Sequence, residues 1–306
     1  KEILIQTKVY HADCQPNARF SPLLGRAQPH TEIAEWQITG QTTGRFYFPA
    51  STVDHTAESM RRSRSLIGPS GGVSLYLGGT RQARYDLLDD IANSINVRAW
   101  RELSWQPDAD LDRIWIDWAT PIFGAEAAPH VVRALRRSEG AVNRLFSTLG
   151  LGSDTNSEFA KTIARRETLL KYTNRHFLPE GRRVLEPTIE SVARVVAEKD
   201  ECLRQIDEMR RDVERAKPHL KPEQAAELET RVGWLREWAV CAKALDESLW
   251  RYRYLRHEAQ MLTTDPEQMR FLAQAYDAIL AQRKRLFVFD PAQRFSCYDV
   301  PLGQLP

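Results

Sequence analysis

The sequence predicts an α/β region followed by an all-α region, on three observations. Short apolar runs separated by Gly- and Pro-containing connections recur up to about residue 124. From about residue 129 the apolar residues recur at helical spacings instead. A Lys-Pro-His-Leu-Lys-Pro break at 217–222 then separates two long helical stretches, which predicts an antiparallel hairpin.

Ile3 to Tyr10 reads as the first strand, Glu32 to Thr39 as the second, and Gly72 to Leu77 as the third, closed by Gly78-Gly79. A helix, Tyr85 to Trp105, is expected after the third. Strands alternating with long connections imply parallel pairing. A parallel sheet is covered on both faces or closed into a barrel, so three strands call for more. The chain starts at Lys1 and enters its first strand at once, so further strands are expected upstream in the same protein or from a second chain. In the all-α region, Pro187 to Ala216 carries Ile189, Val192, Val196, Leu203, Ile206, Met209 and Val213 on one helical face. Pro222 to about Leu262 follows, with Leu228, Val232, Leu235, Trp238, Leu245 and Leu249 on its apolar face. Pro222 suits a first helical turn, and Asp265-Pro266 opens a last helix running to about Leu286. Trp234, Trp238 and Trp250 fit either an intradomain core or a homodimer interface.

Lysine and arginine number 43 against 41 acidic residues, a balance that gives no reason to expect nucleic acid or an anionic membrane as partner. Arginines interleaved with acids along helices predict solvated faces. No apolar run reaches about 18 residues, so no membrane span is expected. Cys14, Cys202, Cys241 and Cys297 show no CxxC pair or metal-ligand spacing, so neither a metal nor a disulfide framework is expected, and a reducing compartment fits best. The sequence leaves localisation open between cytoplasm and periplasm. No GxSxG, HExxH, P-loop or Rossmann glycine pattern is present, and no cofactor is expected.

Chemistry on such a scaffold sits at the C-terminal ends of the strands and on the loops beyond them. That rule selects Lys8, His11 and Asp13 at the first strand, Glu35, Gln37 and Gln41 at the second, and Arg81 and Arg84 at the third. Each would also serve as an ion pair or cap.

Three segments, in order, resemble the α-glucuronidases of glycoside hydrolase family 67. Ile5-Gln6-Thr7-Lys8 through Asp13-Cys14-Gln15-Pro16 and Ser21-Pro22-Leu23-Leu24-Gly25 looks like the family's I-Q-x-K, I-D-F-Q-P and S-P-L-F-G. Glu35-Trp36-Gln37-Ile38-Thr39 with Gly44 is similar to E-x-Q-I-T-Q-E-Y-x-G. Asn96, then Ala99-Trp100-Arg101-Glu102-Leu103-Ser104-Trp105-Gln106-Pro107, resembles N-x-Y-A-F-G-R-L-A-W-x-P, with Trp118 and Phe123-Gly124 on the tryptophan helix after it.

The resemblance implies that residues 1–124 are the C-terminal units of a (β/α)8 TIM barrel and 125–306 a C-terminal helical domain. It implies an inverting glycosidase removing (4-O-methyl)glucuronic acid from xylo-oligosaccharides. Asp13 would be the general base for water, separated by about 6.5–9.5 Å from a general acid that is expected upstream of Lys1. Lys8 would meet the uronic carboxylate of the sugar or pair with Asp13. Glu35, Gln41 and Arg81 are the expected substrate-binding residues, and an oligosaccharide is the expected partner. Gln41 stands where the family has a second acid, and Asn17-Ala18 replaces its R-E pair. Those departures keep open a glycosidase with another sugar substrate and an inactive carbohydrate-binding or assembly protein.

Overall fold

In the computed structural model, the residues described are 3–9, 20–27, 29–37, 48–76, 88–150 and 186–259, with Pro266 and Arg270. Among them are three strands and six α-helices: β1 (Leu4–Lys8), β2 (Thr31–Gln37), α1 (Val53–Ile67), β3 (Gly72–Tyr76), α2 (Ser94–Trp105), α3 (Leu111–Phe123), α4 (Ala128–Phe146), α5 (Ile189–Ala216) and α6 (Pro222–Ala259). The chain divides into two compact units. One comprises Lys1–Gln41, Arg45–Asn143 and Arg204–Arg236, and the other Thr42–Gly44, Arg144–Leu203 and Glu237–Pro306.

In the first unit the strands pair in parallel in chain order, as the alternation of runs and long connections predicts. Side chains alternate between the two faces. Thr7 and Val9 of the first strand segment and Glu32, Ala34 and Trp36 of β2 are buried on the face that packs against α1. One oxygen of buried Glu32 is satisfied locally: its Oε2 accepts from the backbone N–H of Gly25 at 2.9 Å and of Ala27 at 3.4 Å in the turn before β2. Gly25 has φ +82°, and a Cβ there would lie 2.8 Å from the carbonyl oxygen of Leu66 at the end of α1, so both conformation and space demand glycine.

Helix α1 was not legible as a helix because much of its buried face is small: Thr56, Ala57, Ser59 and Ser63 lie beside Val53, Met60 and Ile67. Its entry is pinned by amides. Asn93 accepts from Ala50 N–H at 2.8 Å and donates to Phe48 C=O, while Asn96 accepts from Thr52 N–H at 2.8 Å and donates to Ala50 C=O. Both asparagines are buried. Thr52 makes no side-chain cap. Instead Glu139, on α4, accepts from the N–H groups of Asp54 at 3.2 Å and His55 at 2.9 Å, so the first turn is capped from another helix.

The helix expected from Tyr85 begins only at Ser94. Asp90 is the physical reason: its Oδ1 accepts from Ala92 and Asn93 N–H, an Asx-type turn that competes with helix. Its carboxylate is also gripped bidentately by Arg231 of α6, at 2.6 and 2.8 Å, with both side chains fully buried. Downstream, Asp110 caps α3 by accepting from Asp112 and Arg113 N–H. Trp115, Trp118 and Phe123 of α3 stack edge-on into the interior, and Trp118 Nε1 donates to Ser94 Oγ.

The hairpin predicted at 217–222 is present, turning through a 3-10 segment at Lys217–His219. Leu228, Val232, Leu235, Trp238, Leu245 and Leu249 are all buried, and Trp250 with them, which places Trp238 and Trp250 in an interior. On α5 the buried stripe is Val195, Lys199, Cys202, Ile206, Met209 and Val213, while Ile189, at the first helical position, is exposed. In the second unit, Lys199 is held by Asp246 at 3.0 Å, Glu198 at 3.1 Å and the carbonyls of Arg144 and Ser147, beside a core of Val195, Leu249 and Trp250. Cys202 and Cys241 are buried thiols outside any disulfide, and burial pushes the Cys202 thiol up to about 12, which makes it an inert core group. Of the helix expected from Asp265, only Pro266 and Arg270 are described, and both are helical.

Burial, reinforced by the neighbouring Asp54 carboxylate, pushes the Glu139 carboxyl up from 4.5 to about 7, against the pull of its two N–H donors. The folded state therefore holds this proton to higher pH than the unfolded chain. That contribution to stability is complete below about pH 4.5 and declines as pH rises to about 7. Melting curves across this range should show a downward slope in the wild type that Glu139→Gln lacks. Parallel slopes would assign the pH dependence elsewhere.

Candidate functional site

The face of the sheet turned away from α1 carries a polar row, at the C-terminal end of β1 and within β2 and β3. Strand register aligns Lys8 of β1 with Glu35 of β2, and Glu35 with Ser74 of β3. Lys8 closes β1, so the three residues form one level across all three strands. Gln6 shares the Lys8 face by the two-residue period of a strand. Its amide Nε2 donates to Glu35 Oε2 at 2.6 Å and to Ser74 Oγ at 3.3 Å. Burial separates the faces: Gln6 and Lys8 are exposed and Glu35 and Ser74 half-buried, whereas Thr7, Ala34 and Trp36 between them are buried.

This arrangement presents a carboxylate, an ammonium, an amide and a hydroxyl side by side. Such a set can accept from and donate to several hydroxyls at once, and the ammonium can meet an anionic group. At the N-terminal end of β1 the same face carries Leu4, in register with Thr31 and largely exposed.

Of the residues selected from sequence, Lys8 and Glu35 are thus brought together. Asp13, Gln41 and Arg81 lie outside the described residues, as do Tyr10, His11 and Arg84. The flanks of the Asp13 segment are described, and they meet: Val9 N–H donates to Glu35 C=O at 3.0 Å, and Ser21 N–H to Val9 C=O at 2.8 Å. The chain therefore departs from and returns to the C-terminal end of β1, next to the strand that carries Glu35. Gln6 and Ser74 were not selected from the sequence. The available signal for Gln6 was its alternation with Lys8. Ser74 had none, since a serine inside an apolar strand marks no site by itself.

On α5 and α6, Asp207, Arg210, Arg211, Glu214, Arg215 and Arg236 line a charged cleft. Arg236 and Arg210 pair with Asp207, Arg211 donates to its carbonyl, and Arg215 pairs with Asp212, as expected for a solvated face of interleaved charges. No helix among the described residues is long and apolar enough to cross a membrane. No group of three or more His, Cys, Asp or Glu among them is arranged to hold a metal ion.

No family model matches the sequence, and no curated protein matches it. Among solved structures, the chain is similar to a GH138 enzyme targeting pectin rhamnogalacturonan II, with a TM-score of 0.63 at 13% identity. The match covers 92% of this chain and 45% of that one, so this chain spans less than half of the enzyme's length. The fold, a small parallel sheet with an extensive helical part, is therefore one that a glycoside hydrolase contains.

Proposed function

We propose that this chain contributes part of the active site of a glycoside hydrolase acting on an acidic sugar. The β/α units of residues 1–124 would belong to a (β/α)8 barrel, and 125–306 to a helical domain beyond it. The observation that carries the reading is the polar row Lys8–Glu35–Ser74 with Gln6, on the sheet face left open by α1, with Lys8 at the C-terminal end of β1, the end at which barrel enzymes keep their chemistry. In this reading Glu35 accepts sugar hydroxyls and Lys8 meets the carboxylate of a glucuronosyl unit. Asp13 activates water as the base of an inverting displacement. Arg81 and Gln41 complete the substrate contacts, and the general acid comes from another part of the protein. The structural likeness to a glycoside hydrolase supports the scaffold, and the motif resemblance supports the sugar.

Lys8→Met tests the assignment of charge. In the full-length protein it should cost roughly tenfold or more in kcat/KM for a glucuronate-capped xylo-oligosaccharide, mostly through KM, as expected for loss of a charge-assisted contact. The glucose-capped counterpart should be little affected. An equal loss on both would remove Lys8 from the recognition of acid.

A different sugar on the same scaffold is the second reading, and the similarity to an enzyme that targets rhamnogalacturonan II favours it. Turnover of fragments of that pectin, with none of glucuronoxylan oligosaccharides, would establish it over the first.

A further inference from the structure

We propose that Gln6 and Ser74 are positioning residues that fix the Glu35 carboxylate before sugar binds, an inference that rests on the glycosidase reading of this sheet face. A glutamate on an open face turns its carboxylate with little preference, because the terminal torsion of the side chain is broad. Here Gln6 Nε2 holds Oε2 at 2.6 Å and is itself shared with Ser74 Oγ at 3.3 Å. Three strands thus contribute one residue each to a single hydrogen-bonded row. The backbone supporting it is fixed on both sides of β2, by the Lys8–Glu35 and Glu35–Ser74 registers. Glu35 is half-buried, so its side chain is partly withdrawn from water. One oxygen is held by Gln6, which narrows the rotation of the group and leaves the second oxygen for a sugar hydroxyl. Ordering the side chain in advance removes a cost that binding would otherwise carry, about 0.5–1.5 kcal/mol for such a side chain, or roughly two- to tenfold in affinity.

The test is a double-mutant cycle on the full-length protein, with a glucuronate-capped xylo-oligosaccharide as probe. Gln6→Ala should raise KM roughly two- to tenfold with kcat unchanged, the signature of weakened binding alone. Ser74→Ala should give a smaller change of the same kind. In a Glu35→Ala background, Gln6→Ala should have no further effect on KM. A KM that Gln6→Ala leaves unchanged, or raises equally in both backgrounds, overturns the proposal. The side-chain amide resonance of Gln6, followed by NMR without sugar, separates the two levels. It should shift on Glu35→Ala, and an unmoved signal overturns the contact itself. If the signal shifts but the wild type neither binds nor turns over the oligosaccharide, the glucuronoxylan reading falls, and the positioning role for that sugar falls with it while the contact stands.

Discussion

Asp90→Ala is expected to destabilise the protein by about 3–5 kcal/mol, the range for removing one partner of a buried ion pair. Asp90 and Arg231 are both fully buried and joined by two charge-assisted hydrogen bonds. Alanine would take the bidentate acceptor from the buried Arg231 guanidinium, which keeps only the longer pair with Glu227 at 3.5 Å among its ion pairs, and leave the N–H groups of Ala92 and Asn93 without their acceptor. Asn93 would be disturbed as well, and with it the amide clamp on the backbone that leads into α1. Urea unfolding monitored by circular dichroism should show a lower midpoint with an unchanged slope. The double variant Asp90→Ala with Arg231→Met should recover much of the loss, because it removes the buried charge that has lost its main partner. A loss below about 1 kcal/mol for Asp90→Ala would mean that water reaches the guanidinium and the site is not dry.

Asp13→Asn is expected to lower turnover by roughly two to four powers of ten while leaving the fold intact, the usual range for a general base. The expectation joins the motif around Asp13 to the meeting of its flanks at Val9 and Ser21, beside the strand that carries Glu35. Asparagine keeps the size and polarity of the side chain and loses the proton acceptor. Single-turnover kinetics on the full-length variant would read the chemical step directly. Wild-type turnover in Asp13→Asn would rule out its role as base and shift attention to Glu35, the carboxylate of the polar row.

Much of this fold could be read from apolar spacing. All three strands lie within a residue or two of their predicted cores, and the α5–α6 hairpin turns where Lys217-Pro218 and Lys221-Pro222 interrupt the pattern. Spacing failed where polar groups decide the structure. Helix α1 buries Thr56, Ser59 and Ser63, so its inner face carries little apolar signal. The start of α2 is delayed by Asp90, whose partner Arg231 is 141 positions away in sequence and invisible to local pattern. Lys199 lies on the buried stripe of α5, a position that hydropathy assigns to solvent, because Asp246, Glu198 and two carbonyls receive it. For the candidate site, alternation along β1 puts Lys8 and Gln6 on one face, and the burial of Thr7 and Val9 between and beyond them shows which face it is. The contact of Gln6 with Glu35 and Ser74 depends on strand register, which no single strand encodes.

The most direct measurement compares kcat/KM of the full-length wild type on glucuronate-capped and glucose-capped versions of one xylo-oligosaccharide. A lysine that meets the carboxylate should favour the acidic sugar by roughly one to two powers of ten, from the strength of hydrogen bonds to charged groups. The two substrates differ only in the group that Lys8 is proposed to read, so their ratio cancels every other feature of binding and chemistry. A preference of that size, with release of free glucuronate, is the predicted result. Equal turnover of the two sugars, or of neither, would contradict an acidic-sugar hydrolase.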